Sequence, residues 1–330
     1  MNSHRNLWAV VLAAGSGSRL ATLTTDACGN PVPKQFCSLN GGRSLLGDAL
    51  VRAQRIVPRD RTCIIVAQQH RRFWRRALWS WPARNVVVQP SNRGTANGVL
   101  LTVLSILERD PFAQIIFLPA DHYVRDEPAL ASSLRAMTRL LGSHTEGLVL
   151  CGIEPDEPDP ELGYIVPGPS DSCGSHAVER FVEKPHQRLA CELIAQGALW
   201  NSFIFAASGT ALLGLLRERM AASVEDMETA LARPHPVKAL EELYERLPEM
   251  DFSRAIMQGA EHLLRVVAAA ACGWSDLGTP KRVAETLRRL NRDVSGRAHD
   301  PTPGLFPGPA FINLAAQHAR LGLSIRGSTP

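Results

Sequence analysis

Residues 8–20, WAVVLAAGSGSRL, restrict the fold more than any other stretch of the chain. An apolar run with no polar alternation predicts a strand covered on both faces, as a central strand of an α/β sheet is. The run breaks at once into Gly15, Ser16, Gly17 and Ser18, and Arg19 follows. Glycines let the backbone approach a ligand and turn its N–H groups inward, so a buried strand ending in such a loop suits an oligophosphate. Arg19 adds a fixed guanidinium fork beside that nest. The same loop also reads as an ordinary strand-to-helix turn. It is neither G-x-G-x-x-G nor a Walker loop, because the Gly-Lys-Ser/Thr ending is missing. PVPKQF at residues 31–36 supplies a second element, setting Lys34 where a short loop returns to the same phosphates.

Further apolar runs predict strands at residues 62–67, 85–90, 114–120, 147–153, 176–185, 199–207 and 263–272. Helical spacing recurs between them, at 44–56, 99–107 and 128–141, in two or three helices over 209–247, and in a last helix ending near Asn291. The alternation predicts the α/β class, with a Rossmann-like, mixed and mostly parallel sheet flanked by helices. HRRFWRRALWSW, residues 70–81, interleaves arginine with aromatics in a way that nucleic-acid or membrane surfaces also do. Phe73, Trp74 and Leu78 share one helical face, however, which leaves the arginines to solvent.

Strand ends deliver the polar residues. SNRGTANG places Gly94 and Thr95 at a helix start, where free N–H groups favour an acceptor-rich ligand. QIIFLPADHY presents Asp121 at the carboxyl end of a strand, the edge at which open α/β sheets bind ligands. A carboxylate facing phosphates calls for a divalent cation; the alternative is that Asp121 merely caps the turn. His122 reads as structural, since a hard ion among phosphates prefers oxygen. Glu183 and Lys184 end another strand, suited to a sugar hydroxyl and a phosphate or to a surface ion pair. Asn201 lies inside an apolar run and needs a partner or a ligand. Asp276 is a second lone carboxylate after a buried strand, so two aspartates from distant segments are candidates for one metal.

At 330 residues the chain fits one large domain, read as a catalytic domain over 1–295 followed by a mostly irregular Pro/Gly-rich tail over 296–330. Seven scattered cysteines without a C-x-x-C pair argue against a zinc site or a disulfide framework and fit a reducing, cytoplasmic compartment. A net charge of +4 is too weak to imply a nucleic-acid partner, and no apolar run reaches membrane-spanning length. The apolar N-terminal stretch flows straight into the glycine loop, with no separate cleavage region.

In chain order, LAAGSGSRL with PKQF, NRGTA, LPADH, the GI-P-P stretch reaching GYI, FVEKP, LWNSFIF and GWSDLG resemble the nucleotide-sugar pyrophosphorylases, most closely the mannose-1-phosphate guanylyltransferases. The resemblance implies the nucleotide-diphospho-sugar transferase fold and an enzyme that makes GDP-mannose, or a related GDP-sugar, and pyrophosphate from GTP and mannose 1-phosphate. It implies Mg2+ as cofactor, with Asp121 and Asp276 as its ligands, and it admits a homodimer. Ala13, Ala14, Gly15, Ser16, Gly17 and Arg19 would lie along the triphosphate with Lys34 beside it, and Gln89, Gly94 and Thr95 would approach the base. Glu183, Lys184 and Asn201 would face the sugar phosphate, with Gly163 near the sugar. Arg19, Lys34, Asp121, Lys184 and Asp276 would carry the catalysis.

Departures are confined to a few places. The stretch between Leu20 and Lys34 is longer than usual, and Asp251, Phe252, Ser253, Met257 and Gln258 stand where the family reads serine, aromatic, aspartate and later methionine-glutamate. Gly94 replaces an asparagine, and Gln89 resembles the thymidylyltransferases. The alternatives are therefore another pyrophosphorylase, such as a glucose-1-phosphate thymidylyltransferase, or a regulatory paralogue that binds nucleotide sugar without making it. A dinucleotide-dependent oxidoreductase lacks the required glycine spacing. Many bacterial relatives continue into a cupin-type isomerase domain, for which the residues after 296 are too few.

Overall fold

The structure is a computed structural model that describes residues 6–142, 146–294 and 312–321. Its organising element is β1 (Leu7–Ala13), whose side chains alternate between two cores. Ala9, Val11 and Ala13 face one core, while Trp8 and Val10 face the other. Such two-sided burial follows from the unbroken apolar run, since a period of two sends neighbours to opposite faces.

Helix α1 (Leu45–Gln54), capped by Ser44, leads to β2 (Thr62–Ala67), and α2 (Arg71–Ala77) leads to β3 (Val86–Gln89). The chain then returns through α3 (Gly94–Leu107) to β4 (Gln114–Pro119) on the other side of β1. All three pairings among β1, β2, β3 and β4 are parallel, and strand order reverses at β1. A crevice therefore opens beyond the carboxyl ends of β1 and β4, where neighbouring loops diverge.

Helix α4 (Glu127–Leu140), capped by Asp126, precedes β5 (Leu148–Ile153), β6 (Gly163–Ser170) and β7 (His176–Glu183). Next come α5 (Gln187–Ala195), β8 (Leu199–Ser208), α6 (Gly209–Leu231), α7 (Pro236–Arg246) and β9 (Leu264–Ala268). Helices α8 (Pro280–Val294) and α9 (Leu314–Arg320) end the described chain.

The nine-stranded sheet runs β3-β2-β1-β4-β8-β5-β9-β7-β6, with β6 also reaching back to β8. It is mixed as expected, but parallel pairing does not dominate it. Strand β8 runs antiparallel to both β4 and β5, and β7 pairs antiparallel with β6 and β9. A strand buried on both faces carries the same apolar run in either direction, so the reversal leaves no trace in hydropathy. One core lies under α1, α4 and α8; the other lies under α3, α6 and α7.

Two segments differ from expectation in ways that build the site. Helix α3 begins at Gly94, five residues earlier than its apolar spacing indicates, because Asn97 is buried and donates to the carbonyls of Arg93 and Pro248. The last strand ends at Ala268, and residues 269–279 cross the sheet end irregularly. Tyr123 and Ser275 exchange backbone hydrogen bonds of 2.9 Å each, and Arg125 and Asp126 donate to the Cys272 carbonyl. This clip holds the segment after β9 against the segment after β4. Of the tail, residues 296–311 and 322–330 lie outside the described residues, whereas α9 docks through Leu314, whose N–H donates to the Ser38 carbonyl. Among the described residues, no helix is long and apolar enough to cross a membrane.

Candidate active site

Beyond the ends of β1 and β4 lies a cleft of about 410 Å³. Ala14, Gly15 and Arg19 line it from the first loop, and Gln89, Gly94 and Thr95 line it from the β3–α3 turn. Asp121 and Asp276 line it as well, with Gly163, Glu183, Lys184 and Asn201. Four expected residues do not line it: Lys34 lies buried against the two aspartate segments, and the other three belong to the first strand and its loop. Ala13 is buried in β1, Ser16 points to solvent, and Gly17 holds the loop against Lys34. With φ +64°, Gly17 sits so close that a Cβ would come within 3.1 Å of the Lys34 backbone nitrogen. Gln35 reinforces this loop, its amide donating to the carbonyls of Ala13 (2.8 Å) and Gly15 (2.9 Å).

Lys34 is only 5% exposed and joins the two aspartate segments from below. Its Nζ stands 3.1 Å from Asp121 Oδ2 and donates to the carbonyls of Asp276 (2.6 Å) and Leu277 (3.2 Å). Desolvation pushes the Asp121 carboxyl up, but the Lys34 ammonium, His122 and hydrogen bonding to the carboxylate together outweigh it and hold the group below the usual aspartate value. Burial pushes His122 down to about 4, against the upward pull of Asp121, so the ring is neutral near pH 7. Its Nδ1 accepts from the Trp274 indole at 3.2 Å, the structural role expected of it.

Asp276 is 9% exposed, and its Oδ1 accepts no hydrogen bond. A buried carboxylate oxygen left this way suits a cation. Among the described residues no group of three or more His, Cys, Asp and Glu side chains is placed to hold a metal. Asp121 and Asp276 alone are a donor set of the kind magnesium uses, with substrate phosphates and water completing its shell.

Also lining the cleft, Asn201 is fixed by donating to Ser253 Oγ (3.3 Å) and accepting from the Phe203 N–H (3.0 Å). Gly163 leaves room there, since a Cβ would approach Glu183 Oε2 to 2.5 Å. Burial, with Asp251 adding to it, pushes the Glu183 carboxyl up to about 7, against the pull of Lys184 and Arg254. Lys184 follows with φ +48° and an exposed side chain, and both groups line the one cavity.

Two side chains are engaged differently from expectation. Thr95 Oγ1 accepts from the Phe252 N–H at 2.7 Å, which ties the helix start to the 250–253 segment. Gly94, at φ +80°, lies so close to Met250 that a Cβ would come 2.2 Å from its carbonyl oxygen. Arg19 pairs across the cleft mouth with Glu161 at 2.9 Å, both side chains about half exposed. Glu161 was unmarked in the sequence, where it is one acid among many in EPDEPDPE. An exposed pair of this kind is worth about 0.2–1 kcal/mol, so Glu161→Ala is expected to lower the KM for an anionic ligand of Arg19 by about 1.4- to fivefold. A steady-state titration of the nucleotide checks this, and an unchanged or higher KM would remove Arg19 from phosphate binding.

Residues 8–292 match the family model described as nucleotidyl transferase. The mannose-1-phosphate guanylyltransferase of Escherichia coli K12 is 29% identical over 286 residues, which cover 83% of this chain and 58% of that protein. The xanthan biosynthesis protein XanB of Xanthomonas campestris is 29% identical over 300 residues, covering 88% of this chain and 61% of its own length. The chain thus spans less than two thirds of these curated relatives. The crystal structure of mannose-1-phosphate geranyltransferase from Thermus thermophilus superposes with a TM-score of 0.73 at 32% identity, covering 89% of this chain and 81% of that one.

Proposed function

The chain belongs to the nucleotidyl transferase family, and from that premise we propose that it joins a nucleoside triphosphate to a sugar 1-phosphate, with GTP and mannose 1-phosphate as the pair. An oxygen of the sugar phosphate attacks the α-phosphorus, the bond to the β-phosphate bridging oxygen breaks, and GDP-mannose and pyrophosphate leave. The observation that carries this reading is that Asp121 and Asp276, joined through Lys34, line one cleft with Glu183, Lys184 and Asn201. Two anionic reactants need such a cavity, cationic where phosphates meet and hydroxyl-binding where the sugar lies.

The attacking oxygen is ionised near neutral pH, so no general base is needed, and the neutral His122 is not asked to serve as one. What the residues must do is offset repulsion between anions and fix the line of attack. Lys34 and Arg19 bring positive charge to the triphosphate side, and Lys184 brings it to the sugar phosphate. Glu183 and Asn201 orient sugar hydroxyls. Asp121 and Asp276 would hold Mg2+, which when bound neutralises phosphate charge.

The base is read at Gln89, which is 1% exposed and has an Oε1 without a hydrogen-bond partner. A primary amide there matches N1–H and O6 of guanine, and equally N3–H and O4 of thymine. This is the observation that favours a second reading, a thymidylyltransferase. Pyrophosphate release from each of GTP, dTTP, UTP, CTP and ATP against mannose and glucose 1-phosphates decides between them. Turnover with dTTP and not GTP replaces the first reading by the second, and tight binding without turnover points to the regulatory paralogue.

Glu183 gives a pH signature. Its raised value keeps the carboxyl protonated below about 7, and the ionised form is the better hydroxyl acceptor. The sugar-phosphate KM is therefore expected to fall as pH rises through about 7, and Glu183→Gln is expected to erase that inflection. An identical profile in the variant would assign the inflection to the substrate phosphate.

A further inference from the structure

Arg282 is a buried cation in an unfavourable place. It lies in the first turn of α8, where the helix dipole is positive, yet it is only 6% exposed. Its guanidinium lies over the Trp200 ring at 4.3 Å, and its Nε and Nη2 both donate to Asp159 Oδ2, at 2.9 and 2.8 Å. The same Nε is 3.7 Å from Asp276 Oδ1, within ion-pair range but too far for a hydrogen bond. That oxygen is the buried acceptor without a partner.

We infer that Asp159 is a positioning residue, which by holding Arg282 off Asp276 keeps a metal-binding oxygen from being neutralised by the protein's own guanidinium. The inference rests on the reading of Asp276 as a cation ligand. Two demands compete for one arginine. Drawn fully to Asp276, it would make a charge-assisted hydrogen bond to the oxygen that the cation must use. Held by both of its near nitrogens on Asp159, it stays beside Asp276 as a fixed charge and leaves that oxygen open. Asp159 is itself anchored at three points. Its Oδ1 accepts from the Glu161 N–H at 2.8 Å, its N–H donates to the Tyr164 hydroxyl at 2.8 Å, and its carbonyl accepts from that hydroxyl at 3.2 Å. The neighbouring acids add to the clamp, since Glu157 pairs with Lys281 and Asp156 with Arg289 along α8. The acidic run between Ile153 and Leu162 thus serves as a strap laid on one basic helix.

The test uses terbium(III), a hard oxygen-seeking cation, with luminescence excited through tryptophan, since Trp274 lines the cleft beside Asp276. Asp159→Asn is the informative variant. Its amide oxygen still accepts from Glu161, but its NH2 group cannot accept from Arg282. Half-saturation by terbium is expected to rise about tenfold, the order of one added charge-assisted hydrogen bond in competition. In Asp159→Asn with Arg282→Met the competing cation is gone, and half-saturation is expected to return to the wild-type value or below. Unchanged terbium binding in Asp159→Asn overturns the inference, and so does a double variant as weak as the single one, which would mark Asp159 as a mere loop support. A wild-type signal that survives Asp276→Asn instead overturns the cation reading of Asp276, so the two failures are told apart.

Discussion

Asp276→Asn is expected to lower turnover by on the order of 10²- to 10³-fold, as removal of one preorganised group facing developing charge does, with Asp121→Asn close behind. Asparagine preserves shape and keeps one acceptor oxygen, so the fold persists while the formal charge goes. Asp276 is the cleaner test because its carboxylate makes no hydrogen bond through Oδ1. Removing its charge weakens only the 3.7 Å approach to Arg282, which Asp159 continues to hold, and Lys34 still finds the Asp276 carbonyl. For Asp121 the same change weakens a 3.1 Å contact to the Lys34 ammonium as well. Single-turnover rates at saturating magnesium check both variants. Wild-type rates in either would end the idea that the pair shares one ion.

Lys34→Met is expected to do more, abolishing measurable turnover and lowering the melting temperature by several degrees. The ammonium is buried and satisfies two carbonyls from residues 276 and 277 while facing Asp121. A methionine of similar length fills the volume but orphans both carbonyls, at roughly 1–3 kcal/mol each. It also removes the positive charge that helps hold the Asp121 carboxyl below the usual aspartate value. Calorimetry and an activity assay on the same preparation separate the two effects. A variant that melts like the wild type would show the 276–277 turn to be held by the clip at Tyr123 and Ser275 alone.

What was legible in the sequence follows from what hydropathy encodes. Asp121 and Asp276 were found because each breaks a long apolar run, and a run's end marks a sheet edge. The Gly15–Arg19 loop was visible for the same reason. Partners were not. The Glu161–Arg19 pair, the Thr95–Phe252 bond and the Asn201–Ser253 bond each join segments whose meeting depends on the sheet order, which no local pattern records. Helix α3 starts earlier than its apolar spacing indicates because Asn97 and Gly98 look like loop residues until their buried partners are known. The last strand is shorter than its apolar run because Ala268 to Ala271 is apolar without being β-branched, and the chain uses that stretch to leave the sheet.

The backbone clip between Tyr123 and Ser275 also bears on when the protein becomes competent. Its two halves belong to remote parts of the chain, and such long-range contacts form late because loop closure must come first. Until residues after β9 have been synthesised and docked, the ribosome-bound fragment holds the glycine loop, Lys34 and Asp121 but only one of the two carboxylates. A prematurely released fragment therefore lacks one of the two carboxylates on which the proposed reaction depends.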